Sequence, residues 1–214
     1  MTIKHWHGKK WQEVADVLTK NGLLIVQSGA NCKQHWHPPL WNTFNMVGYT
    51  DENEPELFSL INGAEGVMCG ITGAMHIAAA FNKPCVVVGS AAEEPWWEHY
   101  TNKYGAFGKG AEPVLVPHTF LTSFGKLHCC AETGCWKKRV IPLDNIDLVE
   151  RSDKLCLEPV KMPDQAVASC MMRIEPKQVI DAVMERYPDG VPASPPLAIT
   201  RSLKFKQPST GNLT

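Results

Sequence analysis

Two short apolar runs, residues 66–70 (Gly-Val-Met-Cys-Gly) and 84–89 (Pro-Cys-Val-Val-Val-Gly), stand on either side of an alanine-rich stretch that opens at Thr72-Gly73. Neither run alternates polar with apolar residues, so each is expected to be covered on both faces, as in a parallel sheet flanked by helices. Parallel neighbours need a crossover, and residues 72–81 read as the helix that makes it, ending before Lys83-Pro84. The same alternation precedes it. Trp11, Val14, Val17 and Leu18 recur at helical spacing over 11–20, Asn21-Gly22 supplies a stop, and 23–27 (Leu-Leu-Ile-Val-Gln) reads as a strand closing in Ser28-Gly29-Ala30. A further helix is expected over 54–64, with Asn53 as N-cap, Glu56 in capping-box register and a stripe of Leu57, Leu60, Ile61 and Ala64. Repeated alternation of this kind predicts an α/β fold, a single Rossmann-like doubly wound parallel sheet.

Beyond Ser90 the pattern changes. Residues 91–110, rich in Glu, Trp, Tyr and Gly, read as a long functional loop with room for a short helix, and 114–116 (Val-Leu-Val) as one more strand. Residues 117–173 hold five of the eight cysteines and little periodicity, and 176–187 read as a last helix with Val179, Ile180, Val183 and Met184 on one face and Pro176 near its start. From Pro188 onward five prolines suggest a loosely ordered tail. The expected organisation is a half-domain over 1–116, an irregular Cys-rich extension with a C-terminal helix over 117–187, and a flexible Pro-rich tail over 188–214.

Net charge is −1, from 21 basic and 22 acidic residues scattered along the chain, so no bulk field recruits nucleic acid. No run approaches the roughly 20 apolar residues of a membrane span, and the first residues lack the apolar core of a signal peptide. A cytoplasmic protein is expected.

The turn 70–73 (Gly-Ile-Thr-Gly) between strand and helix is the sharpest local feature. Helix-initial amides lack intrahelical partners and carry the positive end of the macrodipole. Gly73 lets an anion approach the backbone and Thr72 can donate a hydroxyl proton to it. The alternative is a glycine that only permits a tight turn. His76, one turn on, faces the same space, or is a core or capping histidine.

The run 57–89, from Leu57 through Thr72, Gly73, His76, Ala78-Ala79-Ala80 and Pro84 to Gly89, resembles the signature of the ADP-heptose:lipopolysaccharide heptosyltransferase family. Lys10-Trp11, a helix, a strand and Gly29 likewise resemble the start of that family's C-terminal half. The resemblance implies the donor-binding half of a GT-B fold, with a nucleotide-diphosphate sugar held at Thr72, Gly73 and His76 and flanked by Lys10 and Gly29. Two departures stand out. Ile71 occupies a position where the family has an acidic residue, and the family's N-terminal half holds the acceptor and supplies a base. A second domain, a second chain or a homo-oligomer is therefore an expected partner.

Residues 93–100 (Glu-Glu-Pro-Trp-Trp-Glu-His-Tyr) leave the sheet beside the expected ligand. Trp96 can stack on a sugar or base, and Glu93, Glu94, Glu98 or His99 can act as general base, Glu94 and Glu98 being the first choices; an aromatic plug over the sheet edge suits the tryptophans slightly better. This loop and the later Cys129-Cys130 and Gly134-Cys135-Trp136 resemble a branch of heptosyltransferase-like bacterial proteins. Cys129, Cys130, Cys135, Cys156 and Cys170 cluster in sequence, whereas Cys32, Cys69 and Cys85 lie apart. Four thiolates suit zinc or an iron–sulfur cluster. Cys130, Cys135, Cys156 and Cys170 are the expected ligands, because neighbours 129 and 130 do not both reach one ion; disulfides and free buried thiols are the other readings.

The expected function is transfer of a sugar from a nucleotide-diphosphate donor to a hydroxyl. The rivals are a degenerate, metal-stapled transferase module acting in protein assembly, and a metal-dependent redox or hydrolytic enzyme.

Overall fold

The computed structural model describes residues 2–30, 37–50, 54–94, 100, 116–132, 134–142 and 152–192. Its helices are α1 (Gly8–Lys20), α2 (Glu54–Gly63), α3 (Gly73–Ala80), α4 (Ser169–Met172) and α5 (Pro176–Met184). Its strands are β1 (Val26–Gln27), β2 (Phe44–Asn45), β3 (Val67–Gly70), β4 (Cys85–Gly89), β5 (His118–Thr122), β6 (Pro159–Lys161) and β7 (Ala166–Ala168).

The central sheet is β3-β4-β5, all parallel, with Cys69 opposite Val87 and Val87 opposite Phe120. All five residues of β4 are buried. The reason lies in the alternation of its side chains. Cys85 and Val87 enter a core with Met75 and Ala78 of α3, Ile71 and Ile61, while Val86 and Val88 enter one with Val14 and Leu18 of α1 and Val179 and Ala182 of α5. Helices thus cover both faces of a parallel sheet, the α/β arrangement that the apolar runs predict.

The second core also takes in Ile3 and Trp6 from the N-terminal segment, Cys130, Cys135 and Val140, and Val167 and Met171 around α4. Residues after 117 therefore pack on the same sheet as those before it. Within that stretch lie β5, which extends the central sheet, and the antiparallel pair β6–β7, neither expected from sequence. β5 reads His-Thr-Phe-Leu-Thr, half buried throughout, and its mixed polarity hides it among loop residues. The expected strand at 114–116 falls largely outside the described residues.

Boundaries shift for local reasons. α1 begins three residues before Trp11 because the His7 imidazole Nδ1 accepts from the Lys9 amide at 3.1 Å, an N-cap by a residue type seldom counted as one. β1 is shorter than 23–27, with Leu24 61% exposed, and it pairs in parallel with β2, a strand that the sequence reading does not anticipate. Asn53, the expected cap of α2, lies outside the described residues. α5 carries a complete capping box between Glu175 and Gln178, with Pro176 at its start.

His5 gives this packing a pH signature. Its Nε2 meets Gln165 Oε1 at 2.9 Å, and burial, the largest cause, lowers its pKa below the usual value, with His37 and His7 pushing the same way. The unfolded chain then binds the proton more readily, so stability is full above the unfolded value of about 6.5 and falls as pH drops toward the lowered folded value. Chemical denaturation at a series of pH values should show this loss, and His5→Gln should flatten it. A slope unchanged by the substitution would place the titration elsewhere.

Candidate functional site

The carboxyl ends of β3 and β4 open on one side of the sheet, where α/β proteins bind ligands. β3 ends at Gly70, whose α-carbon lies against the Lys4 backbone; a Cβ there would sit 3.3 Å from the Lys4 carbonyl oxygen. Ile71 turns inward and is 7% exposed, packing with Met75 and Val87. That anchoring explains an apolar residue at this position. Thr72, extended at φ −145°, is the N-cap of α3, and its hydroxyl makes no capping bond. Thr72, Gly73 and His76 are all exposed, and a Cβ built on Gly73 meets nothing within 4 Å. In the first turn of α3 the Met75 amide donates to the Thr72 carbonyl at 3.0 Å, which leaves the Gly73 and Ala74 amides without intrahelical partners beside the uncapped Thr72 hydroxyl.

His76 is held from the side. Its Nδ1 is hydrogen-bonded to the Tyr100 hydroxyl, the two rings lying edge to face at 5.8 Å. Tyr100 is fixed in turn by its carbonyl, which accepts from the Val116 amide at 2.9 Å, and by packing against the α3 core. When the hydroxyl donates, the imidazole proton resides on Nε2, the tautomer that offers a donor to an anion. Nothing in the local sequence marks Tyr100 as the partner, because the contact spans 24 residues.

The strap after β4 contributes charge. Lys4 Nζ donates to Glu93 Oε1 at 3.1 Å, with the side chains 33% and 25% exposed, and Glu93 Oε2 is buried without a hydrogen bond among the described residues. Lys4 has no sequence signal of its own; its place follows from the N-terminal segment running beside Gly70. Glu94 is half-buried beside this pair. Trp96 and Glu98 lie outside the described residues.

Two of the expected donor contacts have structural neighbours. Lys10 Nζ donates to the carbonyls of Met172 (2.7 Å) and Ile174 (2.8 Å) and pairs with Glu175 at 3.0 Å, tying α1 to the start of α5. Gly29 has φ +157°, and a Cβ there would sit 3.0 Å from the His37 ring; its carbonyl accepts from the Gly48 amide at 2.9 Å beside the β1–β2 pair.

The cysteines separate into two groups. Cys69 and Cys85 touch across β3 and β4 at 3.6 Å, and that contact, with burial, drives the Cys85 thiol upward and keeps it protonated. Cys129, Cys135, Cys156 and Cys170 line one cavity with Ile3, Ala91, Leu127, Glu158, Ala168 and Ser169. Cys130, expected among them, turns the other way: its thiol donates to the Leu127 carbonyl at 3.3 Å and it is 2% exposed in the core. Desolvation, reinforced by the neighbouring thiols, raises Cys129 to about 11, and burial also raises Cys156 and Cys170. Among the described residues no three Cys, His, Asp or Glu side chains converge closely enough for a single metal ion. Cys32 lies outside the described residues.

Gly134 sets the position of Cys135. Its φ is +80°, and a Cβ would sit 2.8 Å from the Ala92 carbonyl oxygen and 3.0 Å from the Phe124 ring. That approach lets the Cys135 amide reach the Ala91 carbonyl at 2.8 Å. Gly134→Ala should cost about 2 kcal/mol or more, through left-handed strain and overpacking together. Thermal unfolding checks it, and an unchanged midpoint would mean that the apposition is dispensable.

Among the described residues no helix is long and apolar enough to cross a membrane. Residues 2–115 match the family model described as glycosyltransferase family 9 (heptosyltransferase). No curated protein and no solved structure matches the chain.

Proposed function

Because the chain belongs to glycosyltransferase family 9, the heptosyltransferase family, we propose that it binds a nucleotide-diphosphate sugar at the start of α3 and takes part in transferring the sugar to a hydroxyl. One observation carries this reading: the Thr72-Gly73 turn is exposed, with open space beside Gly73, at the carboxyl end of a strand whose neighbour runs parallel to it.

The donor's phosphates would accept from the first amides of α3 and from the Thr72 hydroxyl, and His76, its Nδ1 taken by Tyr100, would donate through Nε2. Those contacts matter most as the bond from the anomeric carbon to the phosphate oxygen breaks. The electron pair leaves on the diphosphate, and fixed amide dipoles stabilise the growing negative charge without reorganising. The acceptor oxygen bonds to the anomeric carbon and its proton passes to a base. Glu94, beside the Lys4–Glu93 pair, and Glu98 are the carboxylates proposed for that role, with Trp96 stacking on the sugar or base. A further domain or a second chain is proposed to present the acceptor.

Calorimetric titration with ADP- and UDP-sugars tests the reading. Binding is expected for one nucleotide class, weakened about tenfold or more by His76→Ala, since a hydrogen bond to a charged group contributes about 1.5–3 kcal/mol. Tyr100→Phe should weaken it less, by releasing the tautomer. Absence of binding to every nucleotide sugar, with the fold intact, would overturn it.

A further inference from the structure

We propose that residues 197–207, which lie outside the described residues, cover the bare face of the β1–β2 pair within the same chain. Residues 23–26 (Leu-Leu-Ile-Val) form a continuous apolar run, the pattern of a strand covered on both faces. Among the described residues only one of its sides is covered. Leu23 and Ile25 pack on the core that α1, β4 and α5 share. Side chains of extended backbone alternate, so Leu24 and Val26 turn the other way, and Phe44, the register partner of Val26, stands on their side. Neither core takes in any of these three, and Leu24 and Phe44 are 61% and 50% exposed. A two-stranded ribbon holds only marginally by itself, and an apolar face on it calls for a packing partner.

The path of the chain brings one to hand. Val191 runs beside Gly22, where a Cβ would sit 4.0 Å from Val191 Cγ1. The last described residues of the chain therefore lie next to the turn that leads into Leu24. Residues 193–196 span up to about 13 Å when extended, at roughly 3.3 Å each, so the segment from 197 onward can begin at Leu24. Phe44 is one strand spacing, about 4.8 Å, beyond Val26.

The sequence of that segment has the matching pattern. Residues 197–207 (Leu-Ala-Ile-Thr-Arg-Ser-Leu-Lys-Phe-Lys-Gln) contain no Pro or Gly and stand between Pro195-Pro196 and Pro208. Leu197, Ile199, Leu203 and Phe205 fall on one side at a period of two, with Thr200, Ser202, Lys204 and Lys206 on the other. Such a segment has an apolar side to bury and a basic side to leave in water. Arg201 interrupts the apolar side, and its long stem can carry the guanidinium out to the rim. A second copy of the chain offers apolar surface too, but tethering decides between them: an attached segment competes at an effective concentration in the millimolar range.

The full chain carries its own probe, since trypsin cuts after Arg201, Lys204 and Lys206. Under native conditions cleavage at these sites, read by mass spectrometry, is expected to wait on undocking. Leu24→Ser and Phe44→Ser alter the face and leave the cut sequence intact; each should speed cleavage about tenfold, through loss of one partly buried apolar side chain. Leu157→Ser, at a leucine that is also 61% exposed but lies in the segment leading to β6, should leave the rate unchanged. The occupant is read directly by placing p-benzoylphenylalanine at position 44, which keeps an aromatic ring there, and irradiating a mixture of isotope-labelled and unlabelled chains. A cross-link to a 197–207 peptide of the same chain is expected. Cross-links joining labelled to unlabelled chains would give the face to a second copy and overturn the proposal. So would photoproducts that include no residue of 197–207, or cleavage equally fast in wild type, Leu24→Ser and Phe44→Ser. None of these readouts involves a nucleotide sugar, so their failure leaves the donor site standing.

Discussion

Gly73→Asp is expected to weaken nucleotide-sugar binding by roughly 10- to 100-fold while leaving the fold as stable as before, or slightly more so. The two halves of that expectation have separate causes. Gly73 is the first residue of α3, it does not sit at positive φ, and a Cβ there meets nothing within 4 Å. Aspartate in the first turn of a helix is favourable, because its charge complements the macrodipole by about 0.3–1 kcal/mol. The same carboxylate occupies the space proposed for the donor's phosphates and competes for the same amides. Forfeiting one charge-assisted hydrogen bond alone costs about 1.5–3 kcal/mol, which sets the range. Calorimetry for affinity and thermal unfolding for stability separate the effects. Affinity that survives the substitution would remove the α3 terminus from the donor site, and a large fall in Tm would show the glycine to be structural.

How far the sequence discloses the site depends on how local its parts are. The β3–α3–β4 unit is legible because each residue obeys a short-range rule: continuous apolar strands, a helix opening at Thr72-Gly73, small Ala78 and Ala79 where the helix meets the sheet, and Pro84 after the turn. The family match covers this unit and extends over residues 2–115. Parts that depend on distant chain stay hidden. Tyr100 reaches His76 from 24 residues away and Lys4 reaches Glu93 from 89; neither periodicity nor spacing carries that information. Lys10 shows the converse, since its match to a donor-binding position says nothing of the Met172 and Ile174 carbonyls that engage its ammonium. For the cysteines, sequence supplies the chemistry and the number but not the direction. Which of Cys129 and Cys130 faces the cavity is decided by the rotation of one 3-10 turn, a matter of tertiary packing around Leu127.

That dependence on distant chain is greatest at Trp6, where the other large effect is expected. Trp6 is 2% exposed, and it belongs to the core shared by α1, β4 and α5. Its indole Nε1 donates to the Ile174 carbonyl at 3.1 Å, across 168 residues, and Trp11 packs edge-on against it at 4.7 Å with an interplanar angle of 88°. The carbonyl of Ile174 also accepts from Lys10, so removing the indole does not orphan that oxygen. The cost of Trp6→Ala is therefore dominated by the cavity and lost burial, about 3–5 kcal/mol. Folded chains are commonly stable by only about 5–15 kcal/mol, and for this length each kcal/mol shifts Tm by about 2–4 °C; a fall of roughly 10 °C is expected. Trp41→Ala makes the control: Trp41 is 78% exposed, its backbone bonds to Gln12 survive the substitution, and the change should stay within about 0.5 kcal/mol. Trp6→Phe should fall between the two, because the ring refills part of the space without the indole N–H. Equal midpoints for Trp6→Ala and Trp41→Ala would mean that the N-terminal segment does not anchor the C-terminal helix, and the shared core on which the strap after β4 rests would have to be redrawn.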